Sequence, residues 1–281
     1  MGEDSALVVT LLRDLDGDRY AASLVLPAGQ RAAIQSIFAF SAEVAAIRER
    51  VSEPAPGEIR LQWWVDAIEG KGHGAVASNP VAGALLETLQ QYALPAGPLI
   101  RLLAARRFDL YHDAMPDIGQ FEGYAGETVS VLYQYAAMIL AGGPAEAAAD
   151  AAGHLGVAQA LAGHLRAFGY NAARGQLFLP LSIFTAHGVR EADIHAGIAS
   201  AGLTAALGQI TELARDHAAK ARTAIDKLDS DLKPAFASLA LVDADLRMIH
   251  SVADAPFAAP RMPAPFGRLW AVIWWMLRHA R

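Results

Sequence analysis

Residues 156–180, GVAQALAGHLRAFGYNAARGQLFLP, constrain this chain more than any other stretch. Val157, Ala160, Leu161, Leu165 and Phe168 recur at three- and four-residue spacing, which places them along one face of a helix. A polar, glycine-broken turn follows, and then the short apolar run LFLP. The rest of the chain offers this helix only helical company. Hydrophobic residues make up 54% of the sequence, but much of that is alanine, which favours helix over strand. No segment alternates apolar and polar residues for long, and the hairpin dipeptide Asn-Gly is absent. The chain reads as all-α.

Several functions are excluded early. With no cysteine there is no disulfide, thiolate metal site or cysteine nucleophile, which fits a reducing compartment. A formal net charge of −6 without a basic stripe argues against nucleic-acid binding. The opening MGEDSALVV is acidic and too poor in apolar residues for a signal peptide. Ala6 stands where a myristoylation signal needs Ser or Thr. No apolar run reaches the roughly 20 residues of a membrane span. The longest are 269–277 and 129–140, the latter interrupted by Gln134. A cytoplasmic protein, at most peripheral on the inner membrane, is expected.

Periodicity and punctuation predict helices over 3–13, 27–50, 59–69, 80–92, 96–113, 118–141, 144–173, 204–228, 234–251 and 267–280, with short ones after LFLP. Pro27, Pro80 and Pro234 are placed as helix openers, with Asn79 as a cap. Residues 14–19 read as a polar turn, 52–58 as a breaker and 70–78 as a loop. Only 72–74 and the proline-rich 255–265 look like linkers, and neither separates two self-sufficient halves, so residues 1–281 are expected to form one domain.

The central stretch resembles the second active-site helix of the squalene/phytoene synthase family: a glycine- and alanine-rich helix, an arginine, a polar turn, then an aromatic and Leu-Pro. Residues 18–51, from DRY through the long helix that follows, look like the family's first helices. The resemblance covers about 17–250. It implies a single helical bundle of the isoprenoid synthase type, with a central cavity between the helices ending near Glu49 and Asn171. In active members two DxxxD motifs face each other there. The i, i+4 spacing puts both carboxylates on one helix face, and two such pairs hold Mg²⁺ on an isoprenoid diphosphate. Laid over that pattern, the four aspartates fall on Ala45, Glu49, Ala167 and Asn171. One carboxylate of four remains. The resemblance therefore implies no metal and no cofactor, with Mg²⁺ returning only if an active head-to-head prenyl synthase is preserved.

One divergent branch fits better than the enzymes do, namely the mitochondrial complex I assembly factors of phytoene-synthase-like type and their bacterial relatives. The matching pieces are AFSAEVAAIRERVSE, GEIRLQWWVDAIE (anchored on Arg60, Gln62 and Trp64), Tyr124-Ala125 with Glu127-Thr128, Ala158-Gln159, Leu165-Arg166-Ala167, Tyr170 and Phe178-Leu179-Pro180. That likeness implies a catalytically degenerate assembly or accessory factor for respiratory complex I, with complex I subunits or assembly intermediates as partners. The alternatives are the active synthase and a lipid-binding module. Diphosphate or an anionic lipid head still needs countercharge, which Arg48 and Arg166 can supply. Candidate cavity residues are Arg48, Glu49, Glu127, Arg166, Tyr170 and Asn171, for a prenyl or lipid ligand.

Other chemistry-bearing residues have plainer readings. Asp109 and Asp113, like Asp226, Asp229 and Asp231, read as solvated helix ends, though the family tends to place an aspartate near Asp109. His164 has no second ligand one turn away and reads as a core histidine, and no other histidines pair by spacing. Of the adjacent Trp63 and Trp64, one is expected in the core and one over a neighbour. In the last helix Phe266, Trp270, Ile273, Trp274 and Leu277 form an apolar stripe flanked by Arg268, Arg278 and Arg281. Packing on the bundle is the expected role. Peripheral membrane contact through Trp270, Trp274 and Arg278 is the other, with the proline-rich linker letting the helix dock separately.

Overall fold

The computed structural model describes residues 3–72, 74–250, 254–261 and 264–279. Among them every regular element is helical. The chain runs α1 (Glu3–Leu15), α2 (Gly17–Ser23), α3 (Ala28–Ala45), α4 (Pro54–Ile68), α5 (Pro80–Gln91) and α6 (Gly97–Arg106). It continues with α7 (Ile118–Ala125), α8 (Val131–Ala141), α9 (Ala149–Arg166), α10 (Phe168–Ala173), α11 (Leu181–Ala186) and α12 (Glu191–His195). The last are α13 (Ala201–Asp226), α14 (Leu239–His250) and α15 (Pro265–His279).

Local chemistry explains where these boundaries differ from the sequence reading. The polar turn expected at 14–19 is already helical from Gly17, because the Asp16 side chain accepts from the Arg19 backbone N–H at 2.9 Å. The breaker expected at 52–58 is shorter, since Pro54 opens α4 with its fixed φ. Asn79 caps α5 as expected, accepting from Val81 and Ala82. Ser200 starts α13 earlier than expected by accepting from Leu203. The helix expected over 144–173 breaks at Ala167 into α9 and α10. The one expected over 118–141 carries a π-helical turn at Gly126–Ser130. The ends foreseen at Ser251 and Ala280, and Arg281, lie outside the described residues.

Helix α9 is the centre of the bundle. It lies along α13, with the π turn, α8 and α14 around it. Gly156 is what allows the π turn so close: a Cβ there would sit 2.5 Å from the Ser130 backbone nitrogen. Ser130 Oγ in turn donates to the Gly153 carbonyl at 3.1 Å. Buried apolar side chains from α1 through α15 form one continuous cluster, with Phe40, Phe121, Tyr133, Tyr135, Phe184 and Phe236 its largest fully enclosed members. Trp64 is buried edge-on against Phe40 at 4.9 Å, while Trp63 lies partly buried across it at 5.1 Å.

The C-terminal segment is strapped down. Phe257 stacks on Phe168 at 5.4 Å, and its carbonyl comes so near α10 that a Cβ on Gly169 would meet it at 2.2 Å. The linker is thus no free tether. Helix α15 then buries Arg268, Val272 and Trp275, one face at i, i+4, i+7 spacing. The opposite face stays in solvent: Phe266 is 74% exposed, Trp270 60%, Trp274 54% and Leu277 67%. No described helix is long and apolar enough to cross a membrane.

Candidate functional site

A cavity of about 690 Å³ opens between the end of α3 and the α9–α10 break, with further walls from α2, the π turn, α14 and the start of α15. Ala45, Arg48, Arg166, Ala167 and Asn171 all line it. The structure therefore brings together residues that the sequence placed more than a hundred positions apart. Glu49 does not line it. Its carboxylate accepts from Tyr170 Oη at 2.9 Å and Arg48 Nε at 3.0 Å, and pairs with Arg174 at 3.4 Å. Tyr170 is likewise outside the lining, with more than half its surface exposed. Glu127, expected in the cavity, faces the opposite way and pairs with Arg101 at 3.2 Å on the surface. Its neighbour Thr128 lines the cavity instead. The π turn sets which side chain points in.

The two degenerate helix ends touch directly. Arg48 Nη2 donates to Asn171 Oδ1 at 3.2 Å, with the guanidinium 4.7 Å from the centroid of the Phe178 ring. Magnesium needs several oxygen ligands in near-octahedral array. The four motif positions offer two methyl groups, an amide oxygen already engaged by Arg48, and one carboxylate turned outward to Tyr170 and Arg174. That donor set does not fit the ion. Among the described residues no three His, Asp or Glu side chains converge to hold a metal.

Three further arginines line the cavity, each with acidic partners. Arg19 donates to Asp16 at 2.5 Å and to Gln159 at 3.3 Å. Arg106 donates to Asp109 and to Tyr124 Oη, each at 2.9 Å, and Tyr124 donates to Asp109 at 2.6 Å. Asp109 is only 3% exposed, so the solvated-end reading is corrected: it is the buried anion of a three-membered network. Asp113 is exposed as expected. Burial works against charge on Arg106, yet Tyr124 and Asp109 more than offset it and raise its pKa. Burial pushes the Tyr124 phenol up as well.

Arg268, on α15, pairs with Asp18 at 2.5 Å and Asp245 at 2.9 Å. Arg166 pairs with the same two carboxylates at 3.0 and 2.9 Å. This two-by-two lattice joins α2, α9, α14 and α15. The sequence reading held Asp18, Arg19 and Gln159 only as matches to the family pattern, missed Arg106 and Asp245, and took Arg268 only as a flank of the apolar stripe. Its signal was the 268, 272, 275 spacing of the inner face. His164 lines the cavity, stacked on Phe178 at 4.8 Å; burial, then Arg48 and Arg106, push its pKa down to about 3. It is neutral at physiological pH. Away from the cavity, His154 and His217 bring their Nδ1 atoms within 3.2 Å between α9 and α13. No spacing along one helix could announce that pair.

A helical bundle with a cavity set between two such helix ends is the architecture of the isoprenoid synthases. The chain belongs to the squalene/phytoene synthase family, whose model matches residues 12–268. Among its relatives is "NADH dehydrogenase (ubiquinone) complex I, assembly factor 6" of Rattus norvegicus, 30% identical over 243 residues, covering 86% of this chain and 72% of the relative. The Homo sapiens protein of the same name matches with the same identity and coverage. In fold the chain is similar to a dehydrosqualene synthase solved in complex with ligand, at a TM-score of 0.81 and 18% identity, covering 98% of this chain and 97% of that one.

Proposed function

We propose that this chain is a catalytically degenerate synthase-like protein that acts as an assembly or accessory factor for respiratory complex I, without magnesium or another cofactor. The names of its curated relatives support the client. The observation that carries the loss of synthase chemistry is the Arg48–Asn171 hydrogen bond, which occupies the place where carboxylates would have to face each other. On this reading its partners are complex I subunits or assembly intermediates. The protein works in the cytoplasm, peripheral on the inner membrane, through the outward Trp270 and Trp274 and through Arg278, whose guanidinium lies 3.2 Å from the Trp274 ring centroid.

Deleting the gene and measuring assembled complex I on native gels tests this. Loss of the assembled complex, restored by the wild-type gene, is the expected result; unchanged complex I removes the reading. Purified protein incubated with Mg²⁺ and farnesyl or geranylgeranyl diphosphate is expected to give no product. Turnover there would establish the prenyl synthase alternative.

A further inference from the structure

The misfit with magnesium leaves the question of what the cavity does accept. Five guanidinium groups line it, those of Arg19, Arg48, Arg106, Arg166 and Arg268, against the three carboxylates of Asp16, Asp18 and Asp245. The acids that balance Arg48 and Arg106, Glu49 and Asp109, stand outside the lining. Counted with those two acids, five carboxylates match the five arginines, so what the wall offers an entering group is not net charge but guanidinium N–H groups facing inward, with Glu49 and Asp109 held behind it. Burial first, and then Arg48 and Arg106, oppose protonation of His164 beside them.

Accessibility decides which arginines can act. The side chains of Arg19 and Arg268 are only 9% exposed and that of Arg106 13%, whereas Arg48 is 18% and Arg166 34% exposed. Among the described residues Arg166 hydrogen-bonds through Nη1 alone, and Arg48 leaves Nη1 unengaged. Guanidinium N–H groups of this kind form strong charge-assisted bonds to carboxylate and phosphate oxygens. Apolar Leu15, Val129, Leu241 and Val242 in the same wall suit a hydrocarbon chain beside such a head.

We infer that the cavity is a metal-independent oxyanion site, in which Arg48 and Arg166 take a singly or doubly charged group such as a phosphate monoester or carboxylate. A diphosphate carries more negative charge than two guanidinium groups offset, and no carboxylate set stands beside them to bring in a metal ion for the remainder. The inference rests on the accessory-factor reading only in taking the motif positions as unable to hold the metal.

Isothermal titration of the full-length protein tests it, with inorganic phosphate and with dodecyl phosphate below its micelle concentration, each in EDTA and again in Mg²⁺. Binding in EDTA, unchanged within about twofold by Mg²⁺ and weakened about ten- to a hundredfold by Arg48→Gln, is expected. Tighter binding of dodecyl phosphate than of phosphate identifies a lipid-type ligand, and equal binding a free anion. Binding only with Mg²⁺, no binding of either probe at millimolar concentration, or indifference to Arg48→Gln overturns the inference. Ala167→Asp, which adds a carboxylate to the wall, is expected to abolish binding and carries the test if Arg48→Gln loses its fold. Anion binding alongside normal complex I in the deletion strain would remove the accessory reading alone. Lost complex I without anion binding would remove this one alone.

Discussion

Asp109 shows how much one buried carboxylate can hold. Its partners Arg106 and Tyr124 are desolvated with it, and removing the acid leaves a buried guanidinium with only a phenol for company. Asp109→Ala is expected to cost about 3–5 kcal/mol of unfolding free energy by urea titration, and Tyr124→Phe about 1–2 kcal/mol. A loss near 1 kcal/mol for Asp109→Ala would mean that the network is not what stabilises this corner. His164 carries a pH signature. Above its ordinary value of 6.5 the imidazole is neutral in both folded and unfolded chains. As pH falls from 6.5 toward 3, the unfolded chain gains a proton that the folded cavity refuses. Stability should therefore fall by up to about 1.4 kcal/mol per pH unit, and His164→Gln should be flatter across that window than the wild type. At this scale the sequence was half legible. The positions of Ala45, Glu49, Ala167 and Asn171 could be read by laying one motif on another, and Arg106 stands only three residues before Asp109, but Tyr124, the other partner of that acid, lies on a helix whose approach no local spacing reveals.

The helices themselves were largely visible, because alanine-rich periodicity and proline openings are local signals. Their interruptions were not. The break at Ala167 and the π turn at Gly126–Ser130 follow from how α9 must pass its neighbours, and that is a tertiary demand. The turn swings Thr128 into the cavity and Glu127 out of it, which is why one of the two was misassigned. Gly156 is the pivot of this packing. Gly156→Ala is expected to cost about 3 kcal/mol or more, because the new methyl would strike the Ser130 backbone, which has no rotamer to change. At this chain length that is a fall of roughly 6–12 °C in melting midpoint. A midpoint within 2 °C of wild type would show that α9 and the turn can separate freely, against the geometry described here.

For the molecule as a whole, the all-α class followed from composition and periodicity, but the role of the last helix did not. The sequence set packing on the bundle against an outward docking face; α15 packs with one side and leaves the other in solvent. It contains no acidic residue in an otherwise acidic chain. Replacing Trp270 and Trp274 together by Glu is expected to abolish cosedimentation with anionic vesicles. The melting midpoint should shift by no more than about 2 °C, since the exposed face takes no part in the core; equal vesicle binding by the double variant would remove the membrane contact. The inner face makes the chain's end a component of the cavity's electrical balance. Cutting α15 away would leave Asp18 and Asp245 with Arg166 as their single shared counterion, drawing its guanidinium further from an incoming anion. The solvent-facing aromatic stripe and the buried ion lattice are thus carried back to back on one 15-residue helix.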